Sequence, residues 1–403
     1  MSNIFQQVIT YQASQLGLLQ NSFCLLSNAN KKYRNFDTLT ANLGDTVSFV
    51  IPPRMTTVPS LVATYQNTQQ LVQYLTVDQP ASSSYSFTSQ EFIFNADQFM
   101  ESYGQGAVAS LGTQVESNIA LNAINNTYRF YGNGVDPINS YQQLSQALAN
   151  FRDYGAANYS MKGYLPLTDV PAIIGSGLNQ FALDRNNKIA NSWELGQFSQ
   201  CDWYQSNLLQ VHTAGTIGES GVTLTFVSIN PTGDQITFSG APASDANAVK
   251  KGDLFQFLTP LFFRTYVGYS ITSQKVQFAA TADAASDGSG NVTISITQPL
   301  IATSGVSNQS ISRPITTSDT VKGVPSHRAG MIVSGDALYL AMPKLPVEHP
   351  YASVSEMDPD SGASLRLTYG AVLGQNQIGF INSVIWGSTL VPQYAMRLVF
   401  PLQ

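Results

Sequence analysis

Val249-Lys250-Lys251-Gly252-Asp253-Leu254-Phe255-Gln256-Phe257 opens as a polar glycine turn and closes as a short apolar strand. It stands in a run of similar segments: Val222-Thr223-Leu224-Thr225-Phe226, Gln235-Ile236-Thr237-Phe238, Lys275-Val276-Gln277-Phe278 and Val292-Thr293-Ile294-Ser295-Ile296. Glycine, proline and aspartate turns separate them. Short, regularly spaced strands of this kind predict a small all-β barrel or sandwich. The β texture begins near Gly215, and a mixed texture resumes near Met331. The segment 216–326 therefore reads as a β-domain inserted into a loop of a larger one.

Outward from the insertion the chain is α+β. Residues 1–45 mix a short amphipathic stretch (Ile4, Phe5, Val8, Ile9) with the run Lys31-Lys32-Tyr33-Arg34, and read as an arm without a core of its own. Thr46-Val47-Ser48-Phe49-Val50-Ile51 is a strand stopped by Pro52-Pro53, because proline cannot donate to a sheet ladder. Leu61–Tyr65, Tyr85-Ser86-Phe87-Thr88 and Phe92-Ile93-Phe94 predict two long strands returning on each other. Val108, Leu111, Val115, Ile119 and Ala123 then recur at helical spacing, with Ser102 as the expected cap. A second helix is expected from Tyr141 to about Phe151, with Leu144, Ala147, Leu148 and Phe151 on one face. Tyr164-Leu165-Pro166-Leu167 and Ala172-Ile173-Ile174 read as strands, and 178–183 as a short helix. The C-terminal part carries strands at 365–369, 378–381 and 397–400.

The chain has 403 residues, enough for two folding units or one domain with a large insertion. Only 11% are charged, against roughly 25% in typical globular chains. Neutral polar residues crowd instead into 65–73, 82–90 and 304–318. Such a surface suits extensive subunit contacts, since it hydrogen-bonds without burying charge, and it equally fits a compositional habit of the lineage. A net charge of −6 and a pI near 5.0 exclude a general basic surface for gripping nucleic acid. Cys24 and Cys201 form no paired motif, which predicts neither disulfide framework nor zinc site and fits a reducing compartment. The N-terminus lacks a secretory pattern and no apolar run reaches the ~18 residues of a membrane span, so a soluble intracellular chain with no membrane partner is expected.

The chemistry is sparse. His212, His327 and His349 are far apart in sequence and no GxSxG elbow occurs, so surface or capping histidines are expected. Gly104-Gln105-Gly106-Ala107-Val108-Ala109 loosely matches a phosphate-binding pattern but lacks the preceding strand, and reads as a loosened helix entry. Asp358-Pro359-Asp360-Ser361-Gly362 starts like a calcium loop without its closing glutamate, and reads as a turn. Asp283 and Asp287-Gly288-Ser289-Gly290-Asn291 read as a hairpin tip. No catalytic, cofactor or metal residue is expected, and the chain is expected to be structural rather than an enzyme.

Taken in order, these elements resemble the major capsid proteins of tailed double-stranded DNA phages with the HK97-like fold, in particular the P22-type coat proteins. Lys31-Lys32-Tyr33, followed by Gly44-Asp45-Thr46-Val47 and Ile51-Pro52-Pro53-Arg54, is similar to the family's arm leading into its extended loop. Phe87-Thr88-Ser89-Gln90-Glu91 is similar to the loop's return towards the spine helix. Val249-Lys250-Lys251-Gly252-Asp253 with Phe255 and Phe257 is similar to the strand entry of the family's inserted barrel. Asp336-Ala337-Leu338-Tyr339-Leu340-Ala341-Met342-Pro343, Trp386-Gly387 and Leu398-Val399-Phe400-Pro401 follow its closing pattern.

The resemblance implies an α+β, HK97-like capsid fold: arm 1–45, extended β-loop 46–101, spine helix 102–130, axial domain 131–215, inserted barrel-like domain 216–326, and axial and peripheral return 327–403. It implies a virion protein, assembled in the host cytoplasm as hexamers and pentamers of an icosahedral shell. That shell encloses double-stranded DNA without sequence-specific binding, helped by a separate scaffolding protein and a portal. Lys31, Lys32, Arg34, Arg54 and Glu91 are the candidate subunit contacts. Residues 46–100 contain no lysine, so a Lys–Asn cross-link launched from the extended loop is ruled out and non-covalent assembly is implied. Two other readings stay open: a host-glycan-binding tail or fibre protein, suggested by the aromatic strands at 255–269, and an encapsulin-like compartment.

Overall fold

The computed structural model describes residues 25, 28–30, 46–51, 71–155, 160–177, 196–265, 270–303, 309–335, 337–347, 352–357, 363–372 and 377–402. The chain divides into two compact units, one built from Met1–Phe49, Gln73–Ala120 and Leu338–Thr389, the other from Val50–Val72, Leu121–Ala337 and Leu390–Gln403. Both mix helix and strand, with strand predominant. No helix among the described residues is long and apolar enough to cross a membrane.

The first unit is organised by an antiparallel sheet in which Gln377–Leu390 is central. Gln79–Thr88 pairs with it from Thr88↔Gln377 to Gln79↔Trp386, Ser364–Val372 lies on its other side, and Ala352–Met357 follows. Alternation sets the faces. Phe87 is buried and Tyr85 half-buried, whereas Ser82, Ser84, Ser86 and Thr88 point outward and are exposed. On the inner face Tyr85 stacks on Phe380 at 5.3 Å, with Phe87 edge-on at 5.8 Å and Tyr369 at 6.0 Å. Of the two long strands expected to return on each other, only the second falls within the described residues. Gln79–Thr88 takes its partner from the far end of the chain, Thr46–Ile51 pairs with Leu71–Thr76, and 61–65 lies outside the described residues.

Gln79–Thr88 runs directly into the helix Ser89–Asn125, which starts well before Ser102 and ends before 130. Phe92-Ile93-Phe94, expected as strand, is helical. Gln90, Glu91, Ala96, Gln98, Met100 and Glu101 around it are good helix formers, and their summed preference outweighs three aromatic and β-branched residues. Val108, Leu111, Val115, Ile119 and Ala123 are all buried, as their spacing predicts. Gly104 and Gly106 fall in mid-helix rather than at its entry, so their N–H groups are spent in the helix and no anion cradle exists there. Within the first unit, buried Glu116 accepts a hydrogen bond from the Leu25 amide at 2.7 Å, and Asn30 makes a parallel bridge to Tyr339. Leu25 and Asn30 are thereby held to this unit.

The second unit contains a seven-stranded sheet ordered Phe130–Tyr131, Ala395–Pro401, His327–Ser334, Met161–Pro166, Cys201–Ser206 and Gln197–Phe198, with Val211–His212 also pairing onto His327–Ser334. Helix Tyr141–Asp153 starts at Ser140, whose hydroxyl accepts from the Gln143 amide. It buries Leu144, Ala147, Leu148 and Phe151 against Ile332, Met396, Leu398 and Phe400. Ala172-Ile173-Ile174, expected as strand, lies in the helix Val170–Gly177. Pro171 explains the difference, since it cannot serve a ladder but fits a first helical turn. The 178–183 segment is outside the described residues.

Between Val211–His212 and His327–Ser334 the chain leaves the sheet to form the inserted domain. Its six-stranded sheet is ordered Gln277–Ala279, Leu254–Phe257, Thr320–Gly323, Thr223–Ile229, Gln235–Ser239 and Asn291–Ser295. The outer strands meet through an Ala280–Ile296 bridge, with Thr281 N donating to Ser295 O at 2.9 Å and Thr297 N to Ala279 O at 3.1 Å. The sheet thus closes into a barrel. Its interior is a plug of Phe226, Phe238, Phe255, Phe257 and Phe278, packed with Leu224, Ile236, Val292, Ile294 and Val321. Phe278 sits at the centre, stacked on Phe255 at 5.2 Å and on Phe238 at 5.8 Å. At the tip, Asp287 accepts from the Ser289 and Asn291 amides, both at 2.8 Å, and so holds the turn. Phe278→Ala is expected to cost about 3–5 kcal/mol by opening a cavity in this plug. Chemical denaturation with a barrel-resident probe measures it.

Candidate functional site

The inserted barrel joins its host sheet at a neck where His212 and His327 are cross-strand partners. Their rings lie 5.3 Å apart, His212 is 7% exposed and His327 is fully buried. The histidines expected at the surface or in caps are therefore neighbours in the interior. Sequence distance hid the pairing. His349 lies outside the described residues.

The Lys250–Asp253 turn fastens the neck. The buried Asp253 carboxylate accepts from His212 Nε2 at 2.8 Å, from the Gly215 amide at 3.0 Å and from the Lys250 amide at 2.8 Å. Gly252 has φ +89°, and a Cβ there would lie 2.4 Å from Asn125 Oδ1 and 3.2 Å from His212 Cε1. Only glycine satisfies both the left-handed backbone and that approach. The Gly252 carbonyl accepts from Arg397 Nη1 at 3.0 Å.

Arg397 is fully buried on the last strand and gathers these parts. Besides Gly252 it donates through Nη2 to the carbonyls of Ile124 and Thr127, at the C-terminal end of the Ser89–Asn125 helix. Its Nη1 also faces His327 Nε2 at 3.4 Å. A cation there gives the carbonyls of the last turn a charged donor and answers the helix's negative dipole end. Burial lowers the guanidinium to about 9, and Asp253 pulls in the opposite direction. Arg129 repeats the device: it is fully buried, donates to Asn150 O at 3.0 Å and Phe151 O at 3.4 Å at the end of the Tyr141–Asp153 helix, and lies 4.2 Å from the Tyr154 ring centroid. Arg328, next to His327, makes a two-pronged pair with Asp169 at 3.0 and 2.5 Å.

His327 Nδ1 lies 2.7 Å from the Pro325 carbonyl, which can only accept, so Nδ1 carries the proton and Nε2 presents its lone pair to Arg397. Burial and the Arg397 charge push His327 down to about 3. With His212 Nε2 spent on Asp253, the cluster is arranged as a brace between barrel, helix end and sheet.

The subunit-contact candidates are not brought together. Lys31, Lys32, Arg34 and Arg54 lie outside the described residues, and Glu91 falls on the helix Ser89–Asn125 with its side chain outside them. The sequence also did not disclose Arg397 or Arg129, whose only signal is an arginine within an otherwise apolar strand or strand entry. Among the described residues no group of three or more His, Cys, Asp or Glu is placed to hold a metal ion. Cys201 is buried, and desolvation, aided by Asp202, raises its thiol to about 12.

No family model matches the sequence, and no curated protein matches it. Solved structures similar to the chain include one from Mycobacterium phage Che8 (10% identity, 94% of this chain and 91% of that chain covered, TM-score 0.48). The capsid of Ralstonia phage GP4 is another (8%, 94% and 92%, TM-score 0.47). A third is the virus-like particle from Pyrococcus furiosus (6%, 96% and 96%, TM-score 0.42).

Arg397→Ala is expected to cost about 3–5 kcal/mol, because it leaves buried carbonyls and Asp253 without their cation. Arg397→Lys is expected to recover less than half of that, since one ammonium cannot replace a planar fork reaching three carbonyls. Thermal and urea denaturation of both variants gives the comparison. Native protein at pH 8 is expected to leave Cys201 unalkylated by iodoacetamide until denaturant is added, as read by peptide mass spectrometry.

Proposed function

We propose that this chain is a shell-forming major capsid protein of the P22-type, HK97-like class. In this reading it assembles as hexamers and pentamers of an icosahedral shell around double-stranded DNA. The observation that carries it is the position of the Val249-Lys250-Lys251-Gly252-Asp253 motif. The stretch that resembles the family's barrel entry is the turn that fastens a closed, inserted barrel to helix end and sheet. A short motif matched by chance would have no reason to occupy that point.

The surface agrees. The outward face of Gln79–Thr88 is hydroxyl-rich and uncharged, and Tyr74 on Leu71–Thr76 is 61% exposed, a large aromatic side chain of the kind enriched at subunit interfaces. The net charge of −6 suits a wall that encloses DNA rather than one that grips it by counterion release. With no lysine in 46–100, subunits in this reading hold by non-covalent contacts. A separate scaffolding protein and a portal complete the assembly, which forms in the host cytoplasm and ends in the virion.

Expressed alone at high concentration, the chain is expected to sediment as large particles or capsomers, and negative-stain images are expected to show closed shells or rings. Trimeric rods, or a monomer that persists at every concentration, would sink the reading. Shells that keep a co-expressed enzyme permanently enclosed as cargo would point to a compartment instead.

A further inference from the structure

The neck cluster has a charge balance with one consequence. Arg397 contributes one positive charge and Asp253 one negative, and His327 is neutral, its Nδ1–H on the Pro325 carbonyl and its Nε2 facing the Arg397 cation. A proton added to His327 must go to Nε2, the atom facing Arg397, and would set two cations against each other in the interior. The other charged groups at the neck are at its solvent edge: Glu219 of the Thr216–Ser220 helix, which accepts from the Ser326 amide at 3.1 Å, and Lys250 and Lys251 of the turn. Arg328 on the same strand is committed to Asp169.

We propose that His212, the Gly252–Asp253 turn, His327 and Arg397 form a proton-operated latch, in which one added proton releases the folded barrel from the sheet and the helix end. This goes beyond the capsid reading and does not depend on it. Opening the neck rehydrates His327 and separates it from Arg397, returning it to its ordinary value of 6.5 from about 3 when closed. Between those values the open form binds a proton that the closed form does not. The closed form is thus fully favoured above about pH 6.5 and loses ground as pH falls towards 3.

The barrel itself is insensitive over this range. Its interior is hydrocarbon and aromatic, and its buried carboxylate, Asp319, is held well below the usual carboxylate range by Arg313, with a further hydrogen bond from Thr259. Unlatching and barrel unfolding are therefore separable by pH.

Hydrogen exchange on the full chain, corrected for intrinsic rates, tests this. Between pH 7.5 and 5.0 the neck-opening equilibrium at the amides of 212–217, 252–254 and 327–328 is expected to rise about thirty-fold, as one coupled proton requires. The amides of 236–238, 255–257 and 292–294 are expected to stay protected. In the His327→Gln variant, which keeps an acceptor for Arg397 without a titrating ring, the rise is expected to fall below about threefold. Neck protection unchanged at pH 5.0, or neck and barrel opening together, would overturn the proposal. So would a thirty-fold rise that survives in the variant. Should the variant fail to fold, the wild-type imidazole NMR titration decides: His327 near 6.5 in a still-protected neck overturns the latch, and a closed-form His327 that does not titrate above pH 5 while neck exchange rises supports it.

Discussion

A fully buried guanidinium is the constraint on which the second unit turns. Arg397 lies inside the sheet on the last strand, and its Nη groups donate to backbone carbonyls rather than to a carboxylate. Such a charge is tolerable because those carbonyls belong to a helix C-terminus and a glycine turn, where peptide dipoles concentrate negative potential. Three separate parts of the chain must arrive for the site to be satisfied: the end of the long helix, the barrel's Gly252 turn and the strand carrying the arginine. Moving any one of them takes an acceptor away from a buried guanidinium. Arg129 does for the Tyr141–Asp153 helix what Arg397 does for the long one.

Much of the fold was legible because it depends on local chemistry. Barrel strands alternate and end in glycine and aspartate turns, so 235–238, 254–257 and 292–296 are placed to within a residue, whereas Thr223–Ile229 runs three residues beyond its expected end and the short Thr320–Gly323 gave no signal. The Tyr141–Asp153 helix shows its stripe openly. Errors arose where a short segment had two local readings: Phe92-Ile93-Phe94 looks like strand until its helix-forming flanks are weighed, and Ala172-Ile173-Ile174 until Pro171 is. The partner of Gln79–Thr88 was beyond reach, because pairing with Gln377–Leu390 leaves no mark in either strand alone.

The candidate site was less legible for the same reason. His212, Asp253, His327 and Arg397 are unremarkable residues on separate elements, and nothing in their spacing announces a cluster. The Lys250-Lys251-Gly252-Asp253 run was visible as a motif, but its work was not. Positive backbone dihedrals and carbonyl acceptors belong to three-dimensional geometry, and a residue string records them only as a glycine. The candidate contacts Lys31, Lys32, Arg34 and Arg54 fall outside the described residues.

The pairing of His212 with His327 bears on how such a domain is gained or lost. Its chain ends leave the host sheet side by side, about 5 Å apart as cross-strand neighbours are, so a tight turn could replace the whole barrel without moving a strand. Topologically the barrel is a removable module. Electrostatically it is not, because excision takes away the Asp253 carboxylate and the Gly252 carbonyl and leaves Arg397 and both histidines facing an empty seat. A lineage shedding the barrel would have to rewrite those host positions at the same time, and one that keeps Arg397 at the core is bound to keep its guest.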